Sequence, residues 1–226
     1  FGKAGKTLAV KAANLGKKVA VIEKSAQMYG GTCINIGCIP TKKLVNLSKE
    51  AQYVNNNVAG EYFTLSIEKK DALVSALRAK NFTMLDGNAN IDVINGTAKF
   101  IDKNSIEVEA TDGSKSVITA QTIVINTGSV NEKPNFEVSS NFAYDSTGIL
   151  NLKTLPKHLV VVGGGYIGLE FASMFAEFGS KVTIVARSGV LKNEDDDVRE
   201  SVKTLLQTQG IEILEGCEVK NLKDGT

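Results

Sequence analysis

The chain has 226 residues, 42% of them hydrophobic, and a formal charge of +1 with acidic and basic residues interspersed. That length suits one large or two modest domains, and the balanced charge offers no footprint for nucleic acid or an anionic membrane surface. No apolar run reaches the length of a membrane span, no signal-peptide pattern opens the sequence, and three cysteines do not make a disulfide framework, so a cytoplasmic protein is expected.

The chain opens on Gly2 and Gly5, a spacing that recurs as Gly165 and Gly168. Val19-Ala20-Val21-Ile22-Glu23 reads as the strand that follows, so residues 2–23 predict one nucleotide-binding unit. By comparison with the later copy, the first glycine of this loop and the strand before it should precede Phe1. If that glycine is position 0, Glu23 stands 23 residues on, where a carboxylate can bond both ribose hydroxyls of an adenosine.

The run Gly30-Gly31-Thr32-Cys33-Ile34-Asn35-Ile36-Gly37-Cys38-Ile39-Pro40-Thr41-Lys42 comes next. It sets two of the three cysteines five positions apart and leads into a helical pattern. A redox dithiol, a metal site and two unrelated buried cysteines compete for it. No second Cys/His cluster exists and the lone histidine, His158, is far along the chain, so a tetrahedral zinc site would lack ligands. A helix N-terminus near the sulfurs would lower the thiolate pKa.

Residues 41–54 and about 68–86 have helical apolar spacing and read as packing helices. Val93-Ile94, Ala98 to Ile101, Ser105 to Ala110 and Ser116 to Thr119 read as short strands, with Asp112-Gly113 as a hairpin turn. Thr122-Ile123-Val124-Ile125 reads as a further strand ending at Asn126, Thr127, Gly128 and Ser129. Residues 130–157 hold the boundary signals Pro134, Gly148 and Pro156.

The second copy is complete. Leu159 to Val162 predicts a buried strand, Gly163-Gly164-Gly165-Tyr166-Ile167-Gly168 a phosphate loop, Leu169 to Phe178 a helix and Lys181 to Val185 the next strand. The glycines allow a tight turn, close approach of a pyrophosphate and helix–strand packing. Adding the same 23 to Gly163 reaches Ala186, not an acid, and Arg187 with Ser188 follows. An arginine there can pair with a 2′-phosphate; the alternative is a solvated Arg187 and use of NADH. Glu194 to Asp197 predicts a helix start, His158 a loop-ordering residue, and Cys217 a buried or half-buried strand residue without redox work.

The dithiol segment resembles the active-site motif of the class I flavoprotein disulfide reductases, the family of dihydrolipoamide dehydrogenase, glutathione reductase and mercuric reductase. The resemblance implies an α/β fold with two Rossmann-like domains on parallel sheets, the first with a small added antiparallel β element: residues 1–150 for FAD and the dithiol, 157–226 for NAD(P). It implies Cys33 as the interchange thiol, Cys38 as the flavin-side thiol, Lys42 near the reactive edge of the isoalloxazine and Glu170 as its ion-pair partner. Gly2, Gly5, Glu23, Lys24, Gly31, Thr32, Lys42, Ala98, Thr127, Gly128 and Ser129 would meet FAD, with Asn126 standing where alanine is usual. Gly163, Gly165, Tyr166, Ile167, Gly168, Glu170, Arg187 and Val219 would meet the nicotinamide dinucleotide. The Ala-Arg-Ser segment is similar to that of mercuric reductase, which implies NADPH, although the second basic residue of such enzymes falls near Asn193, with Lys192 beside it.

Such relatives are about twice as long and continue into an interface domain whose His-Glu pair acts across a homodimer. The resemblance therefore implies a truncated chain and, for the full-length protein, a homodimer that reduces a small-molecule oxidant or disulfide. The dithiol segment looks closest to bacterial reductases that defend against hypothiocyanous acid or reactive chlorine. Dihydrolipoamide dehydrogenase, which commonly has serine where Thr41 stands, is the runner-up, and a non-turnover flavin-binding fragment is the alternative of a different class.

Overall fold

Repeated local sequence produces repeated local structure. In the computed structural model, which describes residues 1–55 and 58–224, the chain divides into one unit of residues 1–40 and 71–130 and another of residues 41–70 and 131 onward.

The first unit starts with α1 (Lys3–Asn14), β1 (Val19–Glu23) and the one-turn helix α2 (Thr32–Asn35). The helix α3 (Cys38–Ala51) begins here, and the second half of α4 (Ala59–Asp86) belongs here too. Strand β1 pairs in parallel with β2 (Ile91–Asn95), Val19 opposite Ile91 and Glu23 opposite Asn95. The small apolar face of α1, Ala9 and Ala13, is buried with Tyr29, Leu85 and Ile91. Tyr29 stacks on Phe82 with centroids 4.8 Å apart and donates its hydroxyl to Asn95 Oδ1 at 2.7 Å.

Strands β3 (Thr97–Phe100), β4 (Ser105–Glu109) and β5 (Lys115–Thr119) form the added antiparallel sheet. Its second hairpin turns at Asp112-Gly113, where Gly113 has φ +82° and Asp112 Oδ1 accepts from the Ser114 amide at 2.9 Å. The strand expected at Thr122 to Ile125 does not form. A strand needs a ladder partner, and without one this segment leaves Val124 57% and Ile125 71% exposed.

The second unit is built on the parallel sheet of β7 (His158–Val162), β8 (Lys181–Ala186) and β9 (Glu212–Glu215), in the order β7-β8-β9. Helices α5 (Tyr166–Phe178) and α6 (Asp196–Thr208) connect these strands, and a two-stranded ladder joins β6 (Glu137–Ser139) to β10 (Asn221–Lys223). Subtracting 163 from the start of α5 at Tyr166 and the end of β8 at Ala186 gives 3 and 23, the start of α1 and the end of β1. The two glycine units therefore match in register and lie in separate parallel sheets.

Residues 41–70, grouped by the sequence reading with the first domain, join the core of this second unit. Leu44, Leu47, Phe63 and Ile67 are buried with Phe175 and Phe178 of α5, and Phe63 meets Phe178 edge-on at 5.2 Å. His158 differs from expectation as well: it opens β7, and its Nε2 lies 2.9 Å from Thr183 Oγ1. Helix α5 ends at Gly179, φ +106°, a left-handed cap that an L side chain strains. Gly179→Ala is expected to lower stability by about 1 kcal/mol, read as a lower urea midpoint at unchanged slope.

Candidate active site

Cys33 sits inside α2 and Cys38 opens α3. The loop between them turns back far enough for the two thiols to share a hydrogen bond, with Cys33 half-buried and Cys38 exposed. That bond pushes the Cys33 thiol up from its ordinary value, burial adds to the rise, and the Cys38 charge adds again; Lys3 and Lys6 pull the other way. The condition set for a lowered thiolate pKa, a sulfur near a helix N-terminus, is not what governs Cys33. A helix of four residues builds little dipole, and Cys33 stands within it rather than at its cap.

Removing the partner should reduce the shift. In Cys38→Ala the leading cause disappears, so the pH midpoint for alkylation of Cys33 by iodoacetamide is expected to fall below that of the reduced wild type. An unchanged or higher midpoint would show that Cys38 does not hold the Cys33 proton.

Around the dithiol, the first unit gathers most of its predicted glycines. Gly31, φ +77°, lies against the start of α1, since a Cβ on it would come 2.4 Å from Gly2 Cα. The unexpected Asn126 is explained by Gly5: a Cβ there would stand 2.5 Å from Asn126 Nδ2, so the amide fills the space that glycine leaves. Thr127, Gly128 and Ser129 follow Asn126 as exposed irregular backbone. Glu23 ends β1 half-buried and accepts the Ser25 amide at 3.1 Å. Lys24 and Thr32 are exposed, and Ala98 is exposed on β3 opposite Val108. With no acidic residue in the first turn of α1, this loop suits the pyrophosphate of a dinucleotide.

The second unit carries its own cleft of about 270 Å³, lined by Gly163, Gly164, Gly165, Tyr166, Arg187, Ser188, Gly189, Leu191, Lys192, Asn193 and Glu194. Behind it Gly168 lets α5 approach β7, because a Cβ there would meet Gly163 O at 2.7 Å and Val161 Cγ1 at 3.1 Å. The rim from Arg187 to Glu194 is tied down. Leu191, at φ +48°, donates its amide to Gly164 O at 2.8 Å, and Glu215 accepts the Val190 amide at 2.8 Å. Lys203 and the Val190 amide hold the Glu215 carboxyl below its usual range. A strained residue held by such contacts is a preorganised wall.

Within this cleft Tyr166 donates its hydroxyl to Glu194, and Arg187 Nη1 stands 3.3 Å from Glu218 Oε1 with both side chains exposed. Ala186 is buried and presents no polar atom to the cleft. Ile167 is exposed on α5, whereas Val219 lies between β9 and β10, outside the cleft's lining. Cys217 is exposed in that same connection, which corrects the buried strand position expected for it. Lys42 Nζ donates to Glu170, so this predicted pair is in contact. Lys3 and Lys6 are the charged residues near Cys33 that motif reading passed over; their spacing in the first two turns of α1 was the available signal.

Residues 1–226 match the family model described as pyridine nucleotide-disulphide oxidoreductase. The chain is 49% identical over 225 residues to the probable pyridine nucleotide-disulfide oxidoreductase RclA of Escherichia coli (strain K12), covering 98% of this chain and 49% of that protein. It is 38% identical over 232 residues to a mercuric reductase of Lysinibacillus sphaericus, covering 98% of this chain and 41% of that protein. The solved Cu(II) complex of the HOCl-induced flavoprotein disulfide reductase RclA from Escherichia coli matches with a TM-score of 0.91 and 47% identity, over 98% of this chain and 48% of that one. The chain thus spans about half the length of these relatives.

Proposed function

The chain belongs to the pyridine nucleotide-disulphide oxidoreductase family, and from that premise we propose that the full-length protein passes electrons from NADPH through FAD to a Cys33–Cys38 disulfide, and from Cys33 to a thiol-reactive oxidant or disulfide. The observation that supports this reading most is the pairing of the two free thiols, Cys33 within α2 and Cys38 at the start of α3, with Cys38 the leading cause of the raised Cys33 pKa. Bound FAD would supply the two-electron relay between the nucleotide and the dithiol.

The residues divide the remaining work. The Gly2–Gly5 loop, Gly31 and the α1 N-terminus bind a pyrophosphate, and Glu23 accepts ribose hydroxyls. Gly163, Gly165 and the α5 N-terminus do the same for NADPH, with Arg187 on its 2′-phosphate. Lys42, held by Glu170, brings an ammonium toward the isoalloxazine. Cys33 attacks the substrate and Cys38 resolves the mixed disulfide. Similarity to an HOCl-induced reductase favours an oxidant over dihydrolipoamide as the partner substrate, and a homodimer is part of this reading for the full-length protein.

Alkylation before and after reduction tests it. Iodoacetamide should leave the oxidised full-length protein active, and should abolish NADPH-dependent disulfide reduction when NADPH is added first, because reduction exposes the Cys33 thiol. Equal sensitivity with and without NADPH would count against a disulfide that cycles.

A further inference from the structure

The turn that carries Cys33 has little of its own to hold it. Gly30 and Gly31 lead into it with left-handed backbone, φ +95° and +77°, and α2 is a single turn of four residues. Consecutive glycines give a segment many alternative conformations, and a one-turn helix does not persist unsupported. Its placement is imposed from outside, and α4 imposes it.

Arg78 of α4 reaches the turn with a half-buried side chain. Its Nε donates to Asn35 Oδ1 at 2.8 Å and its Nη1 to Gln27 Oε1. One guanidinium fork thereby joins the short helical turn Ala26–Met28, before the glycines, to α2 after them. Asn35, only 8% exposed, carries the hold inward: its Nδ2 donates to Gly31 O at 2.9 Å and to Tyr29 O at 3.0 Å. One helical turn on from Arg78, Phe82 stacks on Tyr29. The same face of α4 thus grips the chain on both sides of the glycine pair, and Cys33 lies inside that grip, between Gly31 and Asn35. Removing the guanidinium strips a charged donor from a nearly closed amide, so the amide must turn or the segment must open.

We propose that Arg78 is a positioning residue for the dithiol: acting through Asn35 and Gln27, it holds Cys33 where Cys38 can attack it and so sets how fast a substrate adduct on Cys33 is resolved. This rests on Cys33 and Cys38 being the cycling pair. With a disulfide RS–SR, the Cys33 thiolate attacks one sulfur, forms Cys33–S–S–R and expels RS⁻. The Cys38 thiolate then attacks the Cys33 sulfur, closes the intramolecular disulfide and expels the second RS⁻; two electrons pass from dithiol to substrate, and the two thiol protons end on the departing sulfurs. The first step needs only the Cys33 sulfur and an incoming molecule. The second depends on the mutual placement of two side chains, which is what the fork fixes.

The test follows one turnover of the full-length FAD-loaded protein, reduced with a phosphine and then freed of it, with the neutral disulfide dithiodipyridine as probe. Samples quenched in acid over time are mapped by mass for the pyridyl adduct on Cys33 and for the Cys33–Cys38 disulfide, so other thiols do not enter the signal. Arg78→Met is expected to form the adduct at a rate within about twofold of wild type and to resolve it roughly tenfold more slowly. Arg78→Lys keeps the charge without the fork and is expected to stay slow. Gln27→Leu removes one prong at an exposed residue, and is expected to slow resolution roughly threefold. Should Arg78→Met fail to fold, Gln27→Leu decides alone. Resolution at the wild-type rate in these variants overturns the inference. So does equal slowing of adduct formation and resolution, the mark of a general loosening. If the wild-type adduct never gives way to a Cys33–Cys38 disulfide, the cycling dithiol itself fails, a result distinct from either.

Discussion

Cys33→Ser in the full-length protein is expected to reduce disulfide turnover by roughly a thousandfold or more, since a hydroxyl is a poor nucleophile at neutral pH and cannot form the mixed disulfide. Cys38→Ser should lose turnover to a similar degree for a different reason. Cys33 can still attack, but nothing resolves the adduct, so a stoichiometric mixed disulfide on Cys33 accumulates and is visible by mass. This division follows from the roles proposed for the two free thiols, because each variant leaves the other sulfur in place. Turnover retained in either variant, or an adduct on Cys38 in place of Cys33, would reverse or remove the assigned roles.

Arg187→Ala is expected to lower kcat/KM for NADPH roughly tenfold and leave NADH nearly unchanged, since a hydrogen bond to a charged group contributes about 1.5 to 3 kcal/mol and each 1.4 kcal/mol is a factor of ten. The lower end applies because Arg187 is exposed and Glu218 already stands 3.3 Å from it, a carboxylate the phosphate must displace. Buried Ala186 offers nothing to the ribose hydroxyls in compensation. Steady-state rates with both nucleotides decide the matter: equal losses for the two, or a wild-type preference for NADH, would take the phosphate away from Arg187.

The parts of this architecture visible in the sequence are those set by short-range chemistry. Glycine spacing located the two loops that lead into α1 and α5, and the offset of 23 residues that relates Glu23 to Ala186 is the register that the two units share. The Asp112-Gly113 turn followed from the left-handed backbone that glycine allows. Lys42 and Glu170 were matched across 128 positions by resemblance and are in contact.

What stayed hidden depends on partners distant in sequence. Thr122 to Ile125 has the composition of a strand, but composition does not supply a ladder. The apolar faces at Leu44 and Phe63 could bury anywhere, and only the fold shows them against Phe175 and Phe178. The rise of the Cys33 pKa comes from a through-space contact with Cys38, and Asn126 looked anomalous until Gly5 was seen beneath it.

The central claim, that Cys33 and Cys38 are the pair that stores the electrons of the nucleotide, has a direct measurement. The full-length protein is treated anaerobically with and without NADPH, denatured in the presence of N-ethylmaleimide, and the modified cysteines are mapped by mass. The account predicts that NADPH adds two labels, on Cys33 and Cys38, and that exposed Cys217 is labelled equally in both samples. Labels on Cys33 and Cys38 that are the same with and without NADPH would contradict it.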